Sequence, residues 1–289
     1  MHPLKTFLTL YDRLEILWEG PTGRRLAGTL LVATFLVALV FVELKPLLPE
    51  SVHHLIPKNH LASTEVALTL LLVIEIMGLL FSMVYSVSTS VGRQLEILSL
   101  ILLRNIFKEL SHHPLTWEAL QGSMAGIAAS VAGALAVFAT LGLYYRLKKV
   151  ATLAAHERDR SGFIAAKKCI ALGLLFAFHL ILLRSLYGYI SGVPTPDAFE
   201  SAYTLLVLSN ILVVLLSLRY GHNYRVAFRN SAFAVVTVLI LLALLAPPIW
   251  NAAVGSTAAL VALATYWLFG FHTQKLHQSG IRVSQKASR

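Results

Sequence analysis

Seven long apolar stretches dominate the chain, and the Lys and Arg residues between them fall into a few clusters. A helix that spans a bilayer needs about 20 mostly apolar residues, which each of these stretches approaches or exceeds. The apolar runs are continuous rather than alternating, which excludes a transmembrane β-barrel. Only 13% of the 289 residues are charged, against about 25% in soluble domains. The predicted spans are 24–43, 64–86, 120–145, 166–190, 201–219, 230–249 and 252–270.

This pattern predicts an all-α fold: a polytopic integral membrane bundle with seven or eight transmembrane helices. Residues 1–23 are amphipathic and run directly into a full-length span, so we expect a cytoplasmic interfacial helix and no removable signal peptide. The transmembrane bundle then covers residues 24–270, and residues 271–289 form a basic cytoplasmic tail. The apolar side chains that we expect on the inner membrane surface are Leu4, Phe7, Leu8, Tyr11, Leu14 and Trp18.

Basic residues indicate the orientation, because cytoplasmic loops of membrane proteins carry an excess of Lys and Arg. The segments 146–168 and 219–229 are basic, whereas 191–200 contains two acidic residues and no basic one. Arg24 and Arg25 precede the first span and place the N-terminus inside. We therefore expect both termini in the cytoplasm, in a bacterial cytoplasmic (inner) membrane. The chain has a net charge of +10, and its basic residues lie beside apolar spans. We therefore predict that the basic inner loops bind anionic lipid headgroups rather than nucleic acid.

Two termini on the same side require an even number of crossings, but seven is odd. The segment 93–111 is long enough to add an eighth crossing, although it carries several charges. It could cross with its charged face against other helices, or it could lie flat at the interface. Parity favours the crossing, which would place His112 and His113 outside. The charged face at 100° per residue comprises Arg93, Glu96, Leu100, Arg104 and Lys108.

Glu75 lies near the middle of the second predicted span, where an ionised side chain costs roughly 2.5–3.5 kcal/mol. It must face the protein interior, be protonated or be paired. We favour a pair with Arg104 in the neighbouring helix, with Arg184 as the other available cation. His179 is the only histidine deep in a span, so a haem with two histidine ligands is not expected and no cofactor is predicted. The candidate pathway for protons, ions or a small solute comprises Glu75, Arg104, His179, Arg184 and Asn210.

Histidines are concentrated in the segments that the eight-crossing topology places outside. Together they could bind Zn²⁺ or sense pH. Their spacing matches no established zinc pattern, so solvated loop histidines are the simpler interpretation. The candidate ligands are His53, His54, His60, His112 and His113.

The sequence contains no HExxH, GxSxG or Walker motif, so we do not expect an enzyme. Two functions are left open. The first, which we favour from the sequence, is a channel-like or transporter-like conduit that uses the buried polar residues. The second is a non-catalytic membrane subunit or scaffold of a larger complex, in which those residues lock the helices together. In the second case Gly122, Gly126 and Ser130, with four-residue spacing, would let a second copy or a partner subunit approach closely.

Overall fold

The computed structural model describes most of the chain, and regular structure in the described part is entirely helical. The described ranges are 2–84, 87–112, 118, 121–152, 161–191, 193, 201–215 without 203, 207, 210 and 214, and 224–287. Two 3-10 segments, Lys45–Leu47 and Glu50–Leu55, connect the second and third helices. The α-helices are α1 (His2–Glu19), α2 (Pro21–Leu44), α3 (His60–Ser82), α4 (Val87–His112), α5 (Met124–Thr152), α6 (Ser161–Ser191), α7 (Tyr224–Leu245) and α8 (Pro248–Ala287).

Six of the described helices are long and apolar enough to cross a membrane: α2, α3, α5, α6, α7 and α8. A shorter apolar helical segment covers Thr204–Val213. The predicted fold class is therefore confirmed, because the chain forms an all-α helical bundle of the membrane type. If α4 and the segment at Thr204–Val213 also cross, the total is the eight crossings that the charge distribution predicts.

Helix α4 is too charged to count among those six, yet it lies at the centre of the bundle. It packs against α3, α5, α7 and α8. Leu95, Leu98 and Leu102 on α4 are completely buried, and so is Gln94. A helix with this environment is enclosed by its neighbours rather than lying on the outside of the bundle, as the crossing alternative for residues 93–111 requires.

Helix α4 runs antiparallel to α3 over its whole length. At one end, the guanidinium of Arg93 lies against Gly78, close to the turn that joins the two helices. At the other end, the side-chain amide of Asn59 donates to the backbone carbonyl of Ser111 (3.0 Å). The bundle therefore has an α1 end, which holds α1 and the α3–α4 turn, and a Ser111 end, which holds the connection between α2 and α3. The predicted topology places these two ends on opposite sides of the membrane.

Helix α1 is attached to the protein by the face that we expected on the membrane. Tyr11 is buried and donates a hydrogen bond from its hydroxyl to the carbonyl of Phe81 (2.8 Å). Leu14 and Trp18 also pack against the hydrophobic core. Lys168 of α6 donates to Asp12 (2.5 Å) and adds an ion pair. The expectation for Tyr11, Leu14 and Trp18 is therefore wrong, because α3 and α6 cover this face.

Small residues let α5 and α8 come very close together inside the bundle. A Cβ atom on Gly133 would lie 2.6 Å from the Cβ of Ala252 and 3.0 Å from its Cα, so only glycine fits. Gly126 lies against Pro248 further along the same interface. This part of the small-residue pattern is thus used for contacts within the chain, as small residues commonly are between transmembrane helices.

For the topology, we expect cysteines placed singly at 113, 156, 195 and 285, after Cys169→Ser, to react with an impermeant maleimide from outside only at 113 and 195. The physical reason is the positive-inside distribution of Lys and Arg. The measurement is labelling of intact cells, with permeabilised cells as the control. Labelling of position 113 only after permeabilisation would contradict eight crossings.

For the α5–α8 contact, we expect Gly133→Ala to lower the free energy of unfolding by about 1–3 kcal/mol, because the added methyl group forces the helices apart. The matched control is Gly142→Ala on the same helix, where a Cβ meets no atom within 4 Å. Unfolding of the purified protein in detergent measures both. Equal stability of the two variants would show that the close approach is not formed.

Candidate functional site

Polar side chains on α4 bond to five other helices and form three groups. The first group, the Gln94 chain, is fully buried and joins α4 to α7. The hydroxyl of Thr237 donates to the Gln94 carbonyl oxygen (2.9 Å), and the Gln94 amide donates to Ser90 Oγ (3.3 Å). A buried amide without hydrogen bonds is costly, so this chain stabilises the α4–α7 contact.

The hydrogen bonds of Ser88 extend this group to α5 and α8. The Tyr144 hydroxyl donates to the backbone carbonyl of Ser88 (2.7 Å), and the Tyr266 hydroxyl donates to Ser88 Oγ (3.3 Å). The two tyrosine rings meet edge to face with centroids 5.1 Å apart, a favourable geometry for an aromatic pair. Three helices are thereby joined around one serine of α4.

The second group, the Arg93 cluster, lies at the α1 end of the bundle. Arg93 Nη2 donates to Glu19 Oε1 of α1 (3.1 Å). A Cβ atom on Gly78 of α3 would lie 2.7 Å from Arg93 Nη1 and 3.8 Å from Trp18 Nε1. The missing side chain at Gly78 therefore makes the space in which the arginine and the tryptophan lie. Arg93 connects α4 to both α1 and α3.

The same cluster continues on the α5 side. The Tyr145 hydroxyl donates to Glu96 Oε1 (2.8 Å), and Lys148 Nζ donates to Thr89 Oγ1 (2.7 Å). Lys148 also lies 5.7 Å from the centre of the Tyr145 ring, at cation–π distance. A Cβ atom on Gly92 would lie 2.8 Å from the Tyr145 hydroxyl, so a glycine again makes room for a polar contact.

Glu75 lies within the electrostatic influence of the Arg93 cluster. It makes no hydrogen bond or ion pair with any described residue. It is half-buried on α3, and the charged groups that act on it are Glu96 and Arg93. It lies seven residues before the end of α3 at Ser82, which is about 10 Å along the helix axis. Glu75 therefore lies about four residues, roughly 6 Å, from the middle of α3, displaced toward the α1 end.

The third group, the Glu65 cluster, lies at the Ser111 end. Arg104 Nη2 forms an ion pair with Glu65 Oε1 (3.4 Å), and the Ser111 hydroxyl donates to Glu65 Oε2 (3.3 Å). The predicted pair between Glu75 and Arg104 is thus wrong. The antiparallel hairpin brings Arg104 beside the first turns of α3, whereas Glu75 lies ten residues, about 15 Å, further along.

The other pathway candidates do not join these groups. His179 and Arg184 are on the exposed surface of α6. His179 Nδ1 donates to the carbonyl of Leu175 in its own helix (2.7 Å). Asn210 lies outside the described residues. The structure brings Glu75 and Arg104 onto one helical hairpin, but not into contact, and it places His179 and Arg184 elsewhere.

The histidines of the predicted metal site have local partners where their side chains are described. The ring of His53 bonds to the carbonyl of Leu48 (2.9 Å), and the ring of His60 bonds to Glu43 (2.7 Å). Within the described residues, no three His, Cys, Asp or Glu side chains come together as a metal site would require. The side chains of His54 and His112, and the whole of His113, lie outside the described part.

A small apolar cavity lies between α3, α6 and the segment that begins at residue 201. Its volume is about 10 Å³, and every residue that lines it is apolar. The residues that line the cavity include Ile76, Leu80, Leu174, Phe178, Ala202 and Leu206.

Comparisons with protein-family models, with curated proteins and with solved structures found no match.

For the pairing of Arg104, we expect a double-mutant cycle of Glu65→Gln and Arg104→Gln to give a coupling energy of about 0.5–3 kcal/mol, because the two groups touch. The matched control is the cycle of Glu75→Gln and Arg104→Gln, which should be additive to within about 0.5 kcal/mol. Unfolding in detergent measures each variant. Coupling to Glu75 but not to Glu65 would contradict the register of the hairpin.

Proposed function

We propose that the protein is a non-catalytic membrane subunit or scaffold whose buried polar residues hold its helices in fixed positions. The observation that supports this is the set of direct bonds from α4. Its polar side chains reach α1 through Arg93, α3 through Arg104, α5 through Glu96, and α7 through Gln94. A helix used in this way fixes the arrangement of its neighbours and leaves their outer surfaces to lipid or to other proteins.

Helices α2 and α6 are the candidate spans with the smallest buried share. Ala38 is the one residue of α2 that is buried, and α6 adjoins the segment that begins at residue 201 as well as packing on α1 and α3 among the described helices. Both helices carry many exposed large apolar side chains, which suits lipid or the helices of another subunit. A second copy or a partner membrane subunit would bind here. Anionic headgroups at the basic inner loops remain part of the proposal.

A conduit for protons, ions or a small solute is the second candidate, and Glu75 favours it. An acid within a transmembrane helix is commonly functional, and this one lacks a direct partner among the described residues. It lies near Glu96 and Arg93 in a half-buried cluster that begins at the α1 end. In this version protons or cations would enter at the Arg93 cluster. Arg104, His179, Arg184 and Asn210 would serve as separate polar positions further along.

Flux through reconstituted vesicles separates the two candidates. For the subunit, we expect proton and alkali-cation flux equal to that of protein-free vesicles, and no effect of Glu75→Gln. For the conduit, flux should exceed this background and depend on pH, and Glu75→Gln should abolish it without unfolding the protein. Glu43→Gln is the matched control, because Glu43 is exposed at the end of α2. Loss of an above-background flux in Glu75→Gln alone would reject the subunit proposal.

A further inference from the structure

Helix α1 has a second apolar face that points away from the protein. Leu10, Ile16 and Leu17 are 47%, 73% and 66% exposed. Arg13 is exposed between them, and spacings of three and four residues place all four on one side of the helix. This face is opposite the one formed by Tyr11 and Trp18, so it cannot be explained by docking onto α3 and α6.

The acidic side chains of α1 and its outward arginine, Arg13, lie on different faces of the helix. The acidic side chains turn toward the protein: Asp12 pairs with Lys168, and Glu19 pairs with Arg93. Glu15 has one carboxylate oxygen buried. The outward face carries Arg13 and no acidic residue. The surface that α1 presents outward is therefore both apolar and positively charged.

This face continues into the surface of α2. A short elbow at Gly20 joins the two helices, and Arg24 Nε donates to the carbonyl of Glu19 (3.1 Å), the last residue of α1. Arg24 and Arg25 are exposed at the elbow. From Pro21 onward α2 is a candidate span that is almost wholly exposed to its surroundings. The outward face of α1 thus lies beside the place where a lipid-facing helix would enter the bilayer.

We infer that the outward face of α1, formed by Leu10, Arg13, Ile16 and Leu17, binds a bilayer leaflet that contains anionic phospholipid. The apolar side chains lie in the boundary between headgroups and acyl chains, as in other interfacial helices. Arg13 and the arginines of the elbow extend their charged ends to the lipid phosphates. The helix is then held between protein on one face and lipid on the other. This inference is independent of the proposed function.

The test uses the full-length protein in nanodiscs, with a bimane label on Leu17→Cys in a Cys169→Ser background. We expect brominated lipid to quench the label as strongly as it quenches one on Leu30→Cys of α2, which is exposed on the candidate span. Acrylamide in the water should quench it weakly. Strong quenching by acrylamide would overturn the inference. Absence of quenching by either reagent would also overturn it, because another protein surface would then cover the face.

A second experiment tests the role of charge. It compares quenching at position 17 in nanodiscs of phosphatidylcholine alone and in nanodiscs that also contain phosphatidylglycerol. In the mixed discs we expect Arg13→Glu to lower the ratio of lipid to aqueous quenching at position 17 by about five-fold, since each basic residue near an anionic surface contributes about that factor. Arg146→Glu is the control, because Arg146 is an exposed arginine on a different helix, α5. Equal effects of the two substitutions, or no effect of Arg13→Glu, would exclude specific recognition of anionic lipid by this face.

Discussion

Polar groups inside a bilayer must find their partners within the protein, because lipid offers no hydrogen bonds. Helix α4 is where this constraint acts most strongly. It carries charged and amide side chains along a helix whose other residues include several that are fully buried. The only place where such a helix satisfies both requirements is the centre of the bundle, with a polar partner from each neighbour. The positions of α3, α5, α7 and α8 depend on those contacts.

Glycine positions make these polar contacts possible. Gly78 leaves space for Arg93, and Gly92 leaves space for the hydroxyl of Tyr145. Gly133 allows α5 and α8 to approach until their backbones nearly touch. In each case the missing side chain brings another group close enough to bond or to pack. Polar hydrogen bonds and close packing therefore occur together at these positions.

The helices outside this core follow a different rule. Helix α2 and much of α6 are apolar around most of their circumference, so lipid or another membrane protein can cover them at little cost. Helix α1 combines both situations, since one face is fixed by Tyr11 and by ion pairs and the other is apolar and basic. The described part of the protein thus has a centre held by polar contacts and a periphery with exposed apolar side chains. That division agrees with the structural role proposed above, and α1 is the element where we propose contact with anionic lipid.

Apolar length and charge placement were sufficient to predict from the sequence an all-α membrane bundle, its long spans, and a charged segment at 93–111 that needed an explanation. These properties are local, because the cost of placing a residue in lipid depends mainly on that residue and its neighbours in the chain. The choice of partner for each polar side chain, by contrast, does not depend on the local sequence alone. The turn between α3 and α4 sets the register that gives Arg104 to Glu65 rather than to Glu75, and the docking of α1 decides which apolar face meets protein. Only the tertiary structure could decide these contacts, because they depend on how distant helices are rotated and shifted against one another.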